Sequence, residues 1–352
     1  MKGSIKLFEV FGIRINVHIT FIILPMIFFA TGGIKGLFLI IAVFALVTVH
    51  ELSHSLVAKK YGVVVKEITL LPIGGIASMG SIPEKPQQEF EISIAGPLFN
   101  ILIGMFFFLP LYNILGPRVL FSPSLETWPQ TVAYLFWINL ALAAFNLLPA
   151  FPMDGGRILR SFLAPRLGYA KATKIAVNFG HAFALLFGFI GLTSQPPHIL
   201  LIIIAIFIYM AASSEETQVE LKAILKNFRV KDVLPKDFLT LSPDASISKV
   251  LEVIFHSHQE DFPVMEEGRL VGFLTRQDIV TNIHKFGMDK TIREVMRTAF
   301  PTVKDTDSLV TVQRIMQENE IKAIPVLKGE IVRGVISLED ISRVYAMMSS
   351  RK

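Results

Sequence analysis

Long uncharged apolar runs dominate the first 214 residues of the chain. A helix needs ~20 apolar residues to cross the hydrocarbon core of a bilayer, and most of these runs approach or exceed that length. The run at residues 175–214 is about twice as long, and the prolines within residues 193–197 divide it into two helices. The pattern predicts six transmembrane helices, at residues 15–33, 36–58, 91–113, 130–149, 174–193 and 198–214.

Basic residues flank these predicted helices unevenly. With the amino terminus in the cytoplasm, twelve Lys and Arg residues of the first 214 fall in cytoplasmic segments, whereas the outer loops contain only Lys35 and Arg118. Cytoplasmic loops of membrane proteins are enriched in Lys and Arg. We therefore expect a multi-pass protein of the cell membrane whose amino terminus and polar tail are both cytoplasmic.

The segment between the second and third predicted helices has a different pattern. Residues 63–79 are rich in β-branched side chains and contain Pro72, Gly74 and Gly75, so they favour strands or a hairpin over a helix. Backbone that is not helical enters a membrane only where protein or water satisfies its polar groups, so we place this segment at the cytoplasmic mouth of the bundle. It would either pair with an extended substrate, which makes Gly74 and Gly75 substrate-binding candidates, or plug the cavity.

The rest of the chain is an internal duplication. It repeats at a fixed offset of 62 residues without a gap, and each copy has the pattern helix, strand, strand, helix. Matching pairs are Pro263 with Pro325, Gly272 with Gly334, Thr275 with Ser337 and Asp278 with Asp340. The predicted fold is an α-helical membrane bundle with a small β element, followed by a soluble α+β tail. The predicted boundaries are residues 1–214 for the bundle, 215–228 for a helical linker, and 229–288 and 289–352 for the two copies.

Composition supports this division and excludes several classes of protein. Residues 1–214 contain 14 Lys and Arg and 8 Asp and Glu, whereas the rest of the chain contains 20 and 21. The chain has no cysteine, which excludes disulfide scaffolds and thiolate metal sites. A pI near 9.3 would suit a nucleic-acid-binding protein. The basic excess lies among apolar runs, however, so we expect the lipid bilayer as a partner and no nucleic acid.

The second predicted helix contains the sequence His50-Glu51-Leu52-Ser53-His54. Residues four apart lie on one face of a helix, so both imidazoles can reach the same metal ion. Glu51 is rotated away from that face and can hold a water molecule without being a ligand. An ionised carboxylate inside a bilayer costs ~2.5 kcal/mol or more unless it has a partner, which argues against a glutamate that is merely buried.

A catalytic zinc ion usually has three protein ligands and one open position. Without cysteine the third ligand must be His, Asp or Glu, and most of the acidic residues in the first 214 lie in loops or at helix edges. Asp154 follows the fourth predicted helix, where Pro149 and Pro152 break the helix and two glycines allow an irregular turn. Both helices run toward the cytoplasm, so Asp154 and His54 should lie at similar depth. Alternatively, Asp154 only caps the next helix.

These motifs resemble the site-2 protease family of intramembrane zinc metalloproteases. Besides the two histidines, the resemblance rests on Ala95-Gly-Pro-Leu-Phe-Asn100 and on the segment from Asn146 to Gly155. A substrate-binding or helix-joining role is implied for Asn100, since an asparagine within a membrane helix also joins helices by hydrogen bonds. The other implied roles are zinc ligation by His50, His54 and Asp154, general-base catalysis by Glu51, and binding of substrate or oxyanion by Asn146.

The duplicated tail resembles a tandem of CBS domains, which often bind adenine nucleotides between their two copies. The resemblance implies that Thr275, Asp278, Ser337 and Asp340 contact the ribose and phosphate of such a cofactor. A hydroxyl and a carboxylate at a helix start are suited to this, but the same spacing is a plain helix-start signal, so capping explains these residues equally well. The resemblance also allows a homodimer through the CBS pair.

Two functions therefore stay open at the level of the sequence. The first is a zinc endopeptidase that cleaves membrane-anchored proteins within or beside a transmembrane helix, in regulated intramembrane proteolysis, with nucleotide control through the tail. The second is a transporter or channel with a regulatory CBS tail. A transporter would need a polar pathway or repeated broken helices, whereas the polar residues of the bundle converge on one metal site. The sequence therefore favours the protease.

Overall fold

The computed structural model describes residues 3–72, 74–80, 83–235, 237–257 and 259–349. The chain divides into two compact units, with the boundary between Thr217 and Gln218. One helix, α6 (Ile199–Leu225), runs without a break through this boundary. The other elements of the first unit are β1 (Ser4–Val10), β2 (Ile13–His18), α1 (Ile23–Lys60), β3 (Val65–Leu71), β4 (Gly74–Met79), α2 (Pro86–Leu120), α3 (Trp128–Asn146), α4 (Asp154–Leu167) and α5 (Tyr169–Thr193).

The first unit contains a four-stranded sheet with the order β1-β2-β3-β4. The outer pairs, β1 with β2 and β3 with β4, are antiparallel, whereas β2 and β3 are parallel and are connected through α1. The prediction of strands or a hairpin over residues 63–79 is confirmed by β3 and β4. Ile73, which falls between these two strands, lies outside the described residues.

Strand β2 corrects the start of the first predicted transmembrane helix, which the sequence analysis places at residue 15. Ile13 and Ile15 are buried and Arg14 between them is exposed, which is the period-two alternation of a strand. The uncharged run that follows Arg14 masks this short alternation. The helix itself starts only at Ile23, after one turn of 3₁₀ helix.

Helix α1 folds back on itself at Gly33, whose φ is 58°. The ring of Phe21, just before α1, lies 4.6 Å from the ring of Phe44, centroid to centroid. In a straight helix these residues would be ~35 Å apart. The arm from Ile23 to Gly33 rises only ~16 Å, about half of the hydrocarbon core, so residues 15–33 do not form one complete transmembrane helix.

Among the described residues, four helices are long and apolar enough to cross a membrane: residues 19–60, α2, α5 and α6. The 19-residue α3 is long enough but contains Pro129, Gln130 and two asparagines, which lower its mean hydropathy. The prediction of an apolar helical bundle is therefore confirmed, whereas the count of six transmembrane helices is not.

Helix α2 is central to the packing of the bundle, because it contacts α1, α3 and α4. The residues between α3 and α4 form turns, as the two prolines predict, and the buried Phe151 anchors this connection. Its backbone N–H donates to the carbonyl of Ala176 in α5, at 3.1 Å. The connection that leads into Asp154, the first residue of α4, is therefore fixed to α5.

The second unit repeats its structure at the offset seen in the sequence. The helices α7 and α10, α8 and α11, and α9 and α12 each begin 62 residues apart, and both antiparallel hairpins are irregular at matching positions, after Val264 and after Val326. The predicted duplication is thus confirmed. The elements are α7 (Val230–Val233), α8 (Ile247–His256), β5 (Phe262–Glu266), β6 (Arg269–Leu274), α9 (Arg276–Phe286), α10 (Ile292–Val295), β7 (Val303–Lys304), α11 (Leu309–Glu318), β8 (Ala323–Lys328), β9 (Ile331–Ser337) and α12 (Leu338–Ser349).

Candidate metal centre and tail cleft

Three predicted ligands converge in the first unit. The Nε2 atoms of His50 and His54 are 3.2 Å apart, and Oδ2 of Asp154 lies 3.3 Å from the first and 3.1 Å from the second. Both imidazoles are buried and Asp154 is partly buried. The helix spacing brings the histidines together, and the fold places the start of α4 beside them. The alternative that Asp154 caps the helix does not match the structure, because Met153 is the N-cap of α4 and no side-chain cap hydrogen bond is described. The carboxylate of Asp154 instead faces both imidazoles.

Hydrogen bonds fix which nitrogen of each imidazole faces Asp154. Nδ1 of His50 donates to Oδ1 of Asn100 at 2.6 Å, and Nδ1 of His54 donates to the backbone carbonyl of Ile92, also at 2.6 Å. Carbonyl oxygens only accept hydrogen bonds, so each neutral ring carries its proton on Nδ1. Both Nε2 atoms are then unprotonated and face Asp154, as in metal-binding histidines whose other ring nitrogen donates to a carbonyl oxygen.

The separations of the three atoms fit zinc. Nitrogen and oxygen ligands lie ~2.0–2.1 Å from a tetrahedral zinc ion, so two such ligands are ~3.3 Å from each other. The three separations of 3.1–3.3 Å match this edge length. Two imidazoles and one carboxylate also leave one tetrahedral position open, as in catalytic zinc sites.

A pair of asparagines supports His50. Asn100 of α2 is fully buried, and its Nδ2 donates to Oδ1 of Asn139 in α3 at 2.7 Å. Asn139 in turn donates to the backbone carbonyl of Asn100 at 2.8 Å. The side chain of Asn100 is therefore engaged with His50 and Asn139, and it joins α1, α2 and α3. Of the two roles foreseen for Asn100, this contact pattern matches the joining of helices, while the substrate-binding role stays a prediction.

Gly96 of α2 makes room for both imidazoles. A Cβ atom added there would lie 2.7 Å from Nε2 of His50, and still closer to Nε2 of His54. Real Cβ atoms essentially never come this close to another heavy atom. Residue 96 therefore has to be glycine for the imidazoles to keep these positions.

Glu51, the predicted catalytic base, lies against strand β4. A Cβ atom added at Gly75 would lie 2.8 Å from Cγ of Glu51 and 3.3 Å from Cγ1 of Val47, so β4 approaches α1 this closely only because residue 75 has no side chain. The neighbouring Gly74 has a φ of 136°, in the region that favours glycine. The structure thus brings the predicted base next to the predicted substrate strand.

Asn146 is placed differently from the ligands. It is the last residue of α3, and its Nδ2 donates to the backbone carbonyl of Leu142, one turn earlier in the same helix, at 3.0 Å. The contact is within one helix and does not test the predicted binding of substrate or oxyanion, which stays a prediction.

The second unit contains a cleft of about 960 Å³ between the two copies of the repeat. Thr275, Ser337 and Asp340 line this cleft together with basic and acidic side chains of both copies. Burial raises the pKa of the Asp261 carboxyl on its wall, an effect that a hydrogen bond from the backbone N–H of Arg276 partly offsets. Three of the four predicted cofactor-binding residues thus meet at one cavity.

The two helix-start motifs of the cleft are not equivalent. In both copies the hydroxyl and the carboxylate form a capping box, through Thr275 with Asp278 and Ser337 with Asp340. Asp278 also accepts three hydrogen bonds from Arg297, at 2.8–3.0 Å. Among the described contacts, Oδ1 of Asp340 has only Arg343 nearby, at 3.9 Å. Asp340 therefore keeps acceptor capacity that Asp278 has lost.

Comparisons with known proteins agree with this geometry. Residues 38–122 and 119–187 match the model of peptidase family M50, and residues 230–285 and 292–346 match the CBS domain. A zinc metalloprotease of Methanocaldococcus jannaschii is 37% identical, with 100% of this chain and 99% of that protein covered. The chain belongs to the site-2 protease family.

The chain is also similar to a further relative and to one solved structure. A putative zinc metalloprotease of Synechocystis is 29% identical to this site-2 protease, over 94% of the chain and 93% of the relative. The solved structure of a site-2 protease from Methanocaldococcus jannaschii is 43% identical, covers 60% of this chain and 95% of its own, and gives a TM-score of 0.46. The family models and the zinc metalloprotease of 37% identity show a zinc metalloprotease of a membrane-embedded family that carries two CBS domains.

Asn139 and the carbonyl of Ile92 are not among the sequence-predicted site residues of this site-2 protease, and Gly96 is quoted there only as part of the motif at residues 95–100, without a role. A polar signal existed for Asn139, because an asparagine inside an apolar helix is costly unless it is bonded to a neighbour. No comparable signal exists for Gly96 or for a backbone carbonyl, since their role depends on how closely α1 and α2 approach.

We predict that Gly96→Ala lowers the zinc affinity of the site-2 protease by more than about tenfold, because the added methyl group would displace both imidazoles. The measurement is zinc content by atomic emission after purification in detergent and dialysis against a chelator. Gly188→Ala is the matched control, since its Cβ would meet Ala205 only at 3.7 Å. Full zinc content in Gly96→Ala would contradict the prediction.

Asn100→Ala should lower zinc affinity by about 10–100-fold, the usual effect of removing a group that orients a metal-binding histidine. Asn139→Ala should have a smaller effect, because it acts on His50 only through Asn100. Competition with a chromophoric chelator measures both. An affinity of Asn100→Ala equal to that of the wild type would show that Asn100 does not orient His50.

Proposed function

We propose that this site-2 protease hydrolyses peptide bonds of membrane-anchored proteins, within or beside a transmembrane segment. The observation that carries the proposal is the meeting of His50, His54 and Asp154 at separations of 3.1–3.3 Å, with Glu51 and strand β4 beside them. Release of a cytoplasmic portion of the substrate would make this regulated intramembrane proteolysis.

The residues of the centre divide the chemistry between them. His50, His54 and Asp154 would hold zinc, which when bound polarises a carbonyl group and acidifies water. Glu51 would accept the proton of the attacking water and later give it to the leaving amine. Asn100 and the carbonyl of Ile92 keep the imidazoles in the tautomer that ligates. Asn146 is the proposed partner of substrate or oxyanion.

Strand β4 is the proposed docking site for the substrate. It is the edge strand of the sheet, so an extended peptide could add to it as a fifth strand. At Gly75 such a peptide would lie beside Glu51. The amides of a helical substrate are occupied by its own hydrogen bonds, so a transmembrane substrate has to unwind before it can pair with β4.

The charge distribution supports a topology with the amino terminus and the CBS tail in the cytoplasm. Lys59 and Lys60, at the end of α1, mark the cytoplasmic boundary in this arrangement. His50 precedes Lys60 by ten residues, so it lies ~15 Å from this boundary on the membrane side, and the metal centre would be reached by water from the cytoplasm. The bilayer is then a partner of the enzyme throughout its cycle.

Glu51→Gln should reduce hydrolysis by at least ~100-fold while zinc stays stoichiometric, because the amide cannot accept the proton of water. The assay uses purified full-length protein with single-span substrates, one with helix-breaking residues near its centre and one with a leucine run. Wild type should cleave the substrate with helix-breaking residues faster, because that substrate unwinds more easily. The control for Glu51→Gln is Glu126→Gln, in the exposed loop before α3. Substantial activity in Glu51→Gln would exclude the role of general base.

We further propose that the cleft of the second unit binds one adenine nucleotide. Oδ1 of Asp340 would accept hydrogen bonds from ribose hydroxyls, and Lys322 and Arg343, which also line the cleft, would supply positive charge for phosphates. Both copies of the repeat in one chain contribute residues to this cleft. The ligand would alter proteolysis only if it binds one conformation of the enzyme better than another.

Asp340→Asn should weaken nucleotide binding by about 10–100-fold, the value of a hydrogen bond to a charged group. Asp278→Asn should change it much less, because Arg297 already occupies that carboxylate. Calorimetry of the full-length protein with AMP, ADP and ATP measures both variants. Equal losses in the two variants would overturn the distinction between the copies, and no heat with wild type would exclude an adenine nucleotide.

A further inference from the structure

Arg160 of α4 is almost completely buried, with 2% of its side chain exposed. Its Nε donates to Oε1 of Glu89 at 2.8 Å, and its Nη1 donates to Oε1 of Glu215 at 2.7 Å. The guanidinium also lies over the rings of Phe151 and Tyr169, at 4.7 and 4.5 Å from their centroids. The zinc chemistry described above uses none of these groups.

These contacts join five parts of the bundle, two of which carry or support the metal ligands. Glu89 is in the first turn of α2, the helix that also carries Gly96, Asn100 and the carbonyl of Ile92. Arg160 is six residues after the ligand Asp154 on α4. Phe151 precedes that ligand in the connection from α3. The remaining partners, Tyr169 and Glu215, are on α5 and α6.

Stability alone is a weak reason to bury such a group. Removing a guanidinium and a carboxylate from water costs much of what their attraction returns, and apolar residues of similar volume are often as stable. Glu89 is fully buried, and its Oε2 has no hydrogen-bond partner among the described residues. What an arginine adds is a planar fork with a fixed direction for each donor, which sets the relative positions of the helices.

We propose that Arg160 is a positioning residue for zinc, which holds Asp154 on α4 at ligating distance from the imidazoles by fixing α4 to α2 through Glu89 and to α6 through Glu215. The proposal rests on zinc binding at His50, His54 and Asp154. It makes the position of α6 a determinant of the metal centre, although α6 contributes no ligand to it.

The test is the rate at which full-length protein in detergent releases zinc to a chromophoric chelator. Arg160→Lys keeps the charge but loses the fork, and it should release zinc roughly tenfold faster than wild type. Glu215→Gln should release it roughly threefold faster, since only the contact with α6 is weakened. With a cleavable substrate, both variants should lower kcat and leave KM unchanged.

Matched controls separate positioning from general destabilisation. Arg166→Lys is exposed on the same helix α4, and Glu216→Gln is the neighbour of Glu215 and lies 3.9 Å from Lys174. Both should release zinc at the rate of wild type. The double variant Arg160→Lys/Glu215→Gln should release zinc no faster than Arg160→Lys alone, because the two residues act as one unit.

The outcomes distinguish this inference from the proposed function. If wild type binds no zinc, both fail. If wild type binds zinc and Glu215→Gln releases it at the same rate as Glu216→Gln, the inference alone is overturned. If Arg160→Lys does not fold, the comparison of Glu215→Gln with Glu216→Gln still decides, because Glu215 is partly exposed and the substitution keeps its shape.

Discussion

The metal centre depends on one constraint, which is that two uncharged imidazoles have to direct their Nε2 lone pairs at one point beside a carboxylate. An α-helix places the two rings on one face, but it does not fix how each ring is turned. The acceptors that fix the rings, Asn100 and the carbonyl of Ile92, are both on α2. The position of α2 against α1 is therefore as important for the centre as the ligands themselves.

This constraint explains the close approach of the helices around the centre. Gly96 of α2 faces the two imidazoles of α1, and Gly75 of β4 faces Glu51 of α1. The backbones of α2 and β4 therefore both come close to α1. The asparagine pair ties α3 to the same place. Polar side chains inside an apolar bundle thus occur where they fix a helix, and the apolar contacts around them supply the packing.

The sequence was sufficient for the parts of the site that depend on spacing along one element. The His50–His54 pair and the β-branched segment 63–79 follow from local periodicity, and the gapless repeat of the tail needs no structure at all. Asp154 is predictable as the third ligand because few other acidic residues of the first 214 lie near the ends of apolar helices. Strand β2 and the reversal at Gly33 are not predictable, because an uncharged run has the same composition in a strand, in a short helical arm and in a complete transmembrane helix. Arg160 is one of the twelve basic residues that the sequence places in cytoplasmic segments, and its burial is not predictable because it depends on partners 71 and 55 residues away.

The two helix-start carboxylates of the tail, Asp278 and Asp340, have different contacts although the two copies share one fold. Both copies have the same strand register, the same bulge and the same helix cap, so their backbones place the two carboxylates equivalently. One arginine of the second copy, Arg297, ties the carboxylate of Asp278 on α9 to the segment after α10, and so links the two copies. The same fold thus leaves an acceptor oxygen unused by the described contacts at only one of two equivalent helix starts, that of Asp340.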